Sequence, residues 1–168
     1  MTRQLTVSGF FIALGLILPM LFHLAGGMGV VFLPMHLPVL LAGFFLGPRF
    51  GLLVGIITPL LSSLLTGMPP LLPFLPLMVV ELGVYGFLSG YGYRSLQLSI
   101  LPALLLAMAG GRIALAAWAW ALVSCFGLQL QPRYYVTAAV ITGLPGIVLQ
   151  LVLVPLLVRT VTAKNSSG

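Results

Sequence analysis

Long apolar stretches, broken only by short segments rich in glycine, proline or arginine, make up nearly the whole of this 168-residue chain. Hydrophobic residues account for 61% of the chain and charged residues for only 5%. A soluble domain has about 25% charged residues, because its surface has to be covered with polar groups. This sequence cannot cover a surface in that way, so lipid must be the solvent for most of its exterior.

The lengths of the apolar stretches predict six transmembrane helices, since a helix needs about 20 mostly apolar residues to cross a bilayer. The second stretch is shorter because Pro34 and Pro38 interrupt it. The first could pass for a signal peptide, but it has no clear cleavage site and is interpreted as a membrane helix. The sequence thus predicts an all-α integral membrane protein with a single transmembrane domain, residues 1–168, and helices at about 5–24, 36–46, 51–66, 73–91, 99–124 and 134–158.

The basic residues predict the orientation of the chain in the membrane. Six crossings place both termini on one side, and five basic residues then fall on that side: Arg3, Arg49, Arg94, Arg159 and Lys164. Only Arg133 falls on the opposite side. Because cytoplasmic loops carry an excess of Lys and Arg, we expect a multi-pass protein of the plasma membrane with both termini in the cytoplasm. The net charge of +6 does not indicate a nucleic-acid partner, since these residues are too scattered to follow a phosphate backbone.

Glu81 and Arg112 are the ionisable residues, histidines aside, that fall deep within predicted helices. Insertion of one such group at a helix centre costs about 2.5–3.5 kcal/mol, which favours a reason for its presence. Their helices are antiparallel neighbours, so the two side chains can meet. One interpretation is a structural ion pair, or a protonated Glu81. The other is a polar site open to the outer face, with Trp120, eight residues beyond Arg112, either covering a flat ring or anchoring the helix at the interface.

The remaining polar residues give weaker indications. His23 and His36 lie near the predicted outer surface, but no cysteine or carboxylate completes a metal site with them. Ser62, Ser63 and Thr66 lie at the outer end of the third helix, where they can contact a solute or only satisfy backbone carbonyls. The chain has no phosphate-binding loop and no aspartate, so acid–base catalysis would rest on Glu81 alone. We therefore expect no enzyme activity, no metal and no cofactor.

Small residues four positions apart predict close helix packing, because they let backbones approach in lipid. The pairs are Gly9 and Ala13, Gly51 and Gly55, Gly86 and Gly90, and Ala107 and Gly111.

The stretch MHLPVLLAGFFLGPRFG, residues 35–51, followed by TPLLSSLLTGMPP, residues 58–70, resembles the substrate-binding S components of energy-coupling factor (ECF) transporters. The resemblance covers most of the chain. It implies a vitamin or related micronutrient bound near the outer face, and partners consisting of a membrane coupling subunit and two cytoplasmic ATPases. The family's first helix packs on the coupling subunit through a small-residue motif, to which Gly9 and Ala13 correspond here.

The resemblance and the polar residues together predict a substrate site formed by Glu81, Arg112, Trp120, His36 and Thr66. An Arg fork suits a carboxylate or a ring carbonyl, and Glu81 suits an amine or ring N–H. Pantothenate, a pyridoxine or pyrimidine vitamin, and queuine or its nucleoside all fit such a site.

The alternative function is a structural scaffold subunit of a membrane complex, with no solute site. An intramembrane enzyme has little support, since one carboxylate and two histidines are a poor catalytic set.

Overall fold

A computed structural model describes residues 2–24, 33–126, 137 and 141–166 of the chain. Within these ranges the protein is all-helical, as the sequence predicts. The six α-helices are α1 (Thr2–Leu24), α2 (His36–Leu46), α3 (Pro48–Thr66), α4 (Phe74–Gly90), α5 (Ile100–Phe126) and α6 (Leu144–Ser166). Five of them are long and apolar enough to cross a membrane, and α2, with 11 residues, is shorter.

Three local predictions differ from the structure. The third helix begins at Pro48 rather than at residue 51, because a proline is tolerated at the first helical position, where its missing N–H costs nothing; only Gly47, at φ 91°, separates this helix from α2. The gap between the predicted fourth and fifth helices, residues 92–98, begins in the structure with a π-helical turn, Tyr91–Ser95. The last helix ends at Ser166 rather than at residue 158, and its predicted start at residue 134 lies outside the described residues.

Helix α4 occupies the centre of the bundle and packs on α2, α3 and α5. Part of its contact with α3 brings the two backbones together directly. A Cβ built on Gly51 would overlap the carbonyl oxygen of Gly86, and one on Gly55 would overlap that of Leu82. The small residues of α3 and α4 thus allow the close approach that their spacing predicts.

Arg94, in the π-helical turn, hydrogen-bonds to backbone carbonyl groups at the end of α2. Its Nε donates to the carbonyl oxygen of Phe44 at 3.2 Å, and its Nη2 donates to that of Phe45. These carbonyls belong to the last turn of α2, where they have no partner within the helix. Arg94 therefore lies at the same end of the bundle as the α2–α3 junction and Arg49. We refer to the opposite end, where α3 finishes and α4 begins, as the outer end.

Candidate functional site

Three helices bring polar side chains together inside the bundle. His36 begins α2, while Glu81 and Arg112 lie within α4 and α5. Gly111 is what allows α5 to come so close to α4: a Cβ at this position would lie 3.2 Å from the Tyr85 ring and 3.3 Å from the Glu81 carbonyl oxygen. The side chain that follows Gly111 is thereby held next to Glu81.

The Glu81 and Arg112 side chains form an ion pair in the apolar interior. Arg112 Nη1 lies 2.7 Å from Glu81 Oε1, and the two side chains are 14% and 5% exposed. At an effective dielectric constant of about 20, unit charges at this distance attract by about 6 kcal/mol. Desolvation costs several kcal/mol for each ion, so the pair offsets the cost of its own burial without a large surplus. Because the net gain in stability is small, stabilisation of the fold alone does not explain why the pair is present inside a membrane protein.

His36 completes the polar cluster from the side of α2. Its Nε2 lies 3.8 Å from Glu81 Oε2, which is too long for a hydrogen bond. Its ring meets that of Tyr85 edge-on, with centroids 5.2 Å apart and planes at 72°. The imidazole, 2% exposed as a residue, is thus held by packing, with its polar atoms facing the carboxylate side of the cluster. His36 thus lies beside Glu81 and Arg112, and the contact of these three residues with a substrate stays a prediction.

Buried polar atoms of this cluster lack hydrogen-bond partners among the described residues. They are Nδ1 and Nε2 of His36 and Nε and Nη2 of Arg112. Glu81 Oε1, although close to Arg112, also lacks a contact with hydrogen-bond angles. Each unsatisfied buried group costs about 1–3 kcal/mol. Unpaired polar atoms inside the bundle are thus suited to hydrogen-bond a polar molecule that enters the site.

The hydroxyl groups at the outer end of α3 bond to nearby backbone. Ser62 Oγ donates to the Met68 carbonyl and Ser63 Oγ to that of Pro69, both at 2.7 Å. Thr66 Oγ1 donates to the Ser62 carbonyl at 2.7 Å. These bonds shape the loop after α3, which begins at Gly67 with φ 72°. The role of Thr66 in contacting a solute stays a prediction.

Trp120 lies on the outward side of α5, with 67% of its surface exposed. The inward side of the same segment consists of Leu115, Ala119 and Leu122, which cluster with Leu77 of α4. An exposed tryptophan near the end of a membrane helix is typical of an interfacial anchor. The structure does not bring Trp120 into the buried cluster, and its contact with a ligand stays a prediction.

The first helix presents an open face. A Cβ at Gly9 would have no atom within 4 Å among its described surroundings, and Ala13, one turn further on, is also exposed. Only 17% of the apolar span of α1 is buried. The two small residues named for partner packing therefore lie on a surface that is accessible to another helix.

Tyr85 and Gln150 are among the buried polar residues that the sequence-based reasoning missed. Tyr85, one turn after Glu81, is 1% exposed and supports the His36 ring. Gln150 of α6 is also 1% exposed, and its Nε2 has no hydrogen-bond partner in the described part of the chain. A lone amide in the apolar run of α6 was the available signal for Gln150. No group of three or more metal-ligating side chains occurs among residues 2–24, 33–126, 137 and 141–166.

Comparison with known families gives a match over nearly the whole chain. The family model for the substrate-specific component of ECF transporters matches residues 3–158. No significant match was found among curated proteins or among solved structures.

Proposed function

We propose that this chain, which belongs to the family of ECF transporter substrate-specific components, captures a vitamin or related micronutrient at the outer face for ATP-driven import. Family membership makes it a membrane-embedded substrate-binding subunit of a transporter. Our proposal concerns three further points: the chemical nature of the solute, the partner subunits that supply the energy of ATP hydrolysis, and the orientation of the chain in the membrane.

The observation that carries the proposal is the set of unpaired buried donors beside the Glu81–Arg112 pair. A pair that served packing alone would be expected to have its remaining N–H groups satisfied, since half-satisfied polar networks destabilise a core. Here Arg112 offers Nε and Nη2, and His36 offers its ring nitrogens. All three side chains come from different helices, so one solute held by them would bridge α2, α4 and α5.

The proposed partners are a membrane coupling subunit and two cytoplasmic ATPases. The chain has no phosphate-binding loop of its own, so ATP hydrolysis would belong to the partners. The open face of α1 at Gly9 and Ala13 supports a helix–helix contact with the coupling subunit, because small residues allow close approach in lipid.

In the proposed orientation the chain spans the plasma membrane several times, and both of its termini lie in the cytoplasm. The support for this orientation is the common position of Arg49 and Arg94 at one end of the bundle, in agreement with the excess of basic residues on cytoplasmic sides. The polar cluster then lies towards the outer end, since α2 begins there with His36.

Affinity purification from native membranes, with mass spectrometry of proteins and small molecules, tests this function. We expect two ATPases, a coupling subunit and a polar micronutrient to co-purify with the wild-type chain, and the micronutrient to be lost from Arg112→Ala. Size-exclusion behaviour and helix content establish that the variant is folded. Recovery of cell-wall machinery alone, with no small molecule, would instead identify the chain as a scaffold subunit.

A further inference from the structure

The guanidinium group of Arg112 is engaged by Glu81 on one nitrogen only. Nη1 faces the carboxylate at 2.7 Å, while Nε and Nη2 have no hydrogen-bond partner among the residues described. These two nitrogens form one edge of the planar group, and their N–H bonds point in the same direction. The free edge is therefore a ready fork for two neighbouring acceptors on another molecule.

Charge decides which kind of acceptor this fork can take. A carboxylate and a ring that carries a carbonyl oxygen beside a nitrogen acceptor both fit it geometrically. The charge of Arg112, however, is already balanced by Glu81. A second carboxylate would leave a net negative charge among buried groups, with two carboxylates sharing one guanidinium. Neutral acceptors would satisfy the same donors without that cost.

We infer that the substrate is an uncharged molecule with two adjacent hydrogen-bond acceptors, received by the Nε–Nη2 edge of Arg112, and that Glu81 excludes carboxylates from this position. The inference rests on the proposed function and narrows its substrate class. The ring nitrogens of His36, which also lack partners among the described residues, can hydrogen-bond a polar group on the same molecule. Pantothenate, with its carboxylate, falls outside this class, whereas a neutral pyridoxine or pyrimidine type lies within it.

Matched pairs of probes that differ by one carboxylate test the inference on the purified full-length protein. The pairs are cytosine and 5-carboxycytosine, pyridoxine and 4-pyridoxate, and pantothenol and pantothenate. We expect a neutral member to stabilise the wild-type protein thermally with an apparent affinity at least about tenfold higher than that of its carboxylate partner. A carboxylate that binds as well as or better than its neutral partner overturns the inference.

The variant Glu81→Gln removes the negative charge that we propose excludes carboxylates, while it keeps the size of the side chain. It leaves the charge of Arg112 unbalanced, so the preference should reverse towards the carboxylate member. Arg49→Gln, which changes the net charge by one unit at the other end of the bundle, is the matched control and should keep the wild-type preference. An unchanged preference in Glu81→Gln also overturns the inference.

The proposed function and this inference fail in different ways. If no probe stabilises the protein, the small molecule retained from native membranes is identified by mass spectrometry, and a carboxylate there overturns the inference while the function stands. A retained uncharged molecule supports both. Absence of any retained molecule or ATPase contradicts the proposed function, and with it the inference that depends on it.

Discussion

Gly51 and Gly86 face each other across the α3–α4 contact so closely that a Cβ on either residue would overlap the carbonyl oxygen of the other. Gly55 makes the same kind of approach to Leu82 one turn away. With Leu82 and Gly86 pressed against α3, the neighbouring stripe of α4 that contains Glu81 and Tyr85 is turned towards α2 and α5. The glycine contact thus sets the direction from which the carboxylate meets its partners.

Gly51→Ala should destabilise the protein, because the added methyl group forces α3 and α4 apart. Overpacking of a core costs about 1–3 kcal/mol, and here the obstacle is backbone that cannot rotate away. Thermal unfolding in detergent measures the loss. Gly9→Ala is the matched control, since nothing lies within 4 Å of its Cβ and alanine favours helix by up to about 1 kcal/mol. Equal melting temperatures for the two variants would contradict the tight α3–α4 contact.

The helix content and the approach of Glu81 to Arg112 could be predicted from the sequence because both follow from the cost of transfer into lipid. Twenty apolar residues have few alternatives to a spanning helix, and two buried opposite charges on neighbouring helices have every reason to meet. His36 was placed near the site by its position at the start of a helix. That Nε and Nη2 of Arg112 are left unpaired could not be predicted from the sequence, since this depends on the side-chain rotamer with which Arg112 contacts Glu81.

Other features could not be predicted because they depend on tertiary contacts rather than on hydropathy. The outward direction of Trp120 follows from which side of α5 packs against Leu77. The burial of Gln150 follows from the packing of α6 among the apolar side chains of the core. The π-helical turn after α4 has no hydropathy signal, since its residues, Tyr91–Ser95, have the composition of an ordinary loop.

Arg94→Ala should loosen the end of the bundle at which α2 finishes. The substitution leaves the Phe44 and Phe45 carbonyls without their donor, and bonds to charged groups contribute about 1.5–3 kcal/mol. Hydrogen exchange of the α2–α3 junction should rise, with a smaller change at the outer end. Arg49→Ala removes an exposed charge from the same junction and serves as the control. Similar exchange in both variants would mean that Arg94 contributes only its charge.

Gly9→Leu should weaken association with the proposed coupling subunit without unfolding the chain. The open face of α1 has room for the side chain, but a partner helix packed on small residues does not. The ratio of co-purified ATPase to this chain measures the loss. Ala109→Leu places the same leucine side chain at an exposed position of α5 and should leave the ratio unchanged. A parallel decrease in both variants would exclude α1 as a specific docking face.

Arg112→Lys should keep the fold and lose the solute. A lysine ammonium can still neutralise Glu81, but it has no fork with which to hold two acceptors. Ligand-induced thermal stabilisation, measured with the molecule that co-purifies from native membranes, should disappear while the melting temperature without it changes little. Retained stabilisation in Arg112→Lys would show that the solute needs only a positive charge, or that it binds elsewhere.

Replacing both charged residues together separates a structural ion pair from a binding site. Either Glu81→Met or Arg112→Met alone leaves one buried charge without its partner, which costs about 3–5 kcal/mol. The double variant Glu81→Met/Arg112→Met has no unpaired charge, and exchange of a buried pair for apolar residues is often neutral or stabilising by about 1–4 kcal/mol. We therefore expect the double variant to match or exceed the wild-type melting temperature, and to bind no solute. If it unfolds like the single variants, the pair is needed for the fold. If it is stable and still binds, the solute is held by residues other than these two.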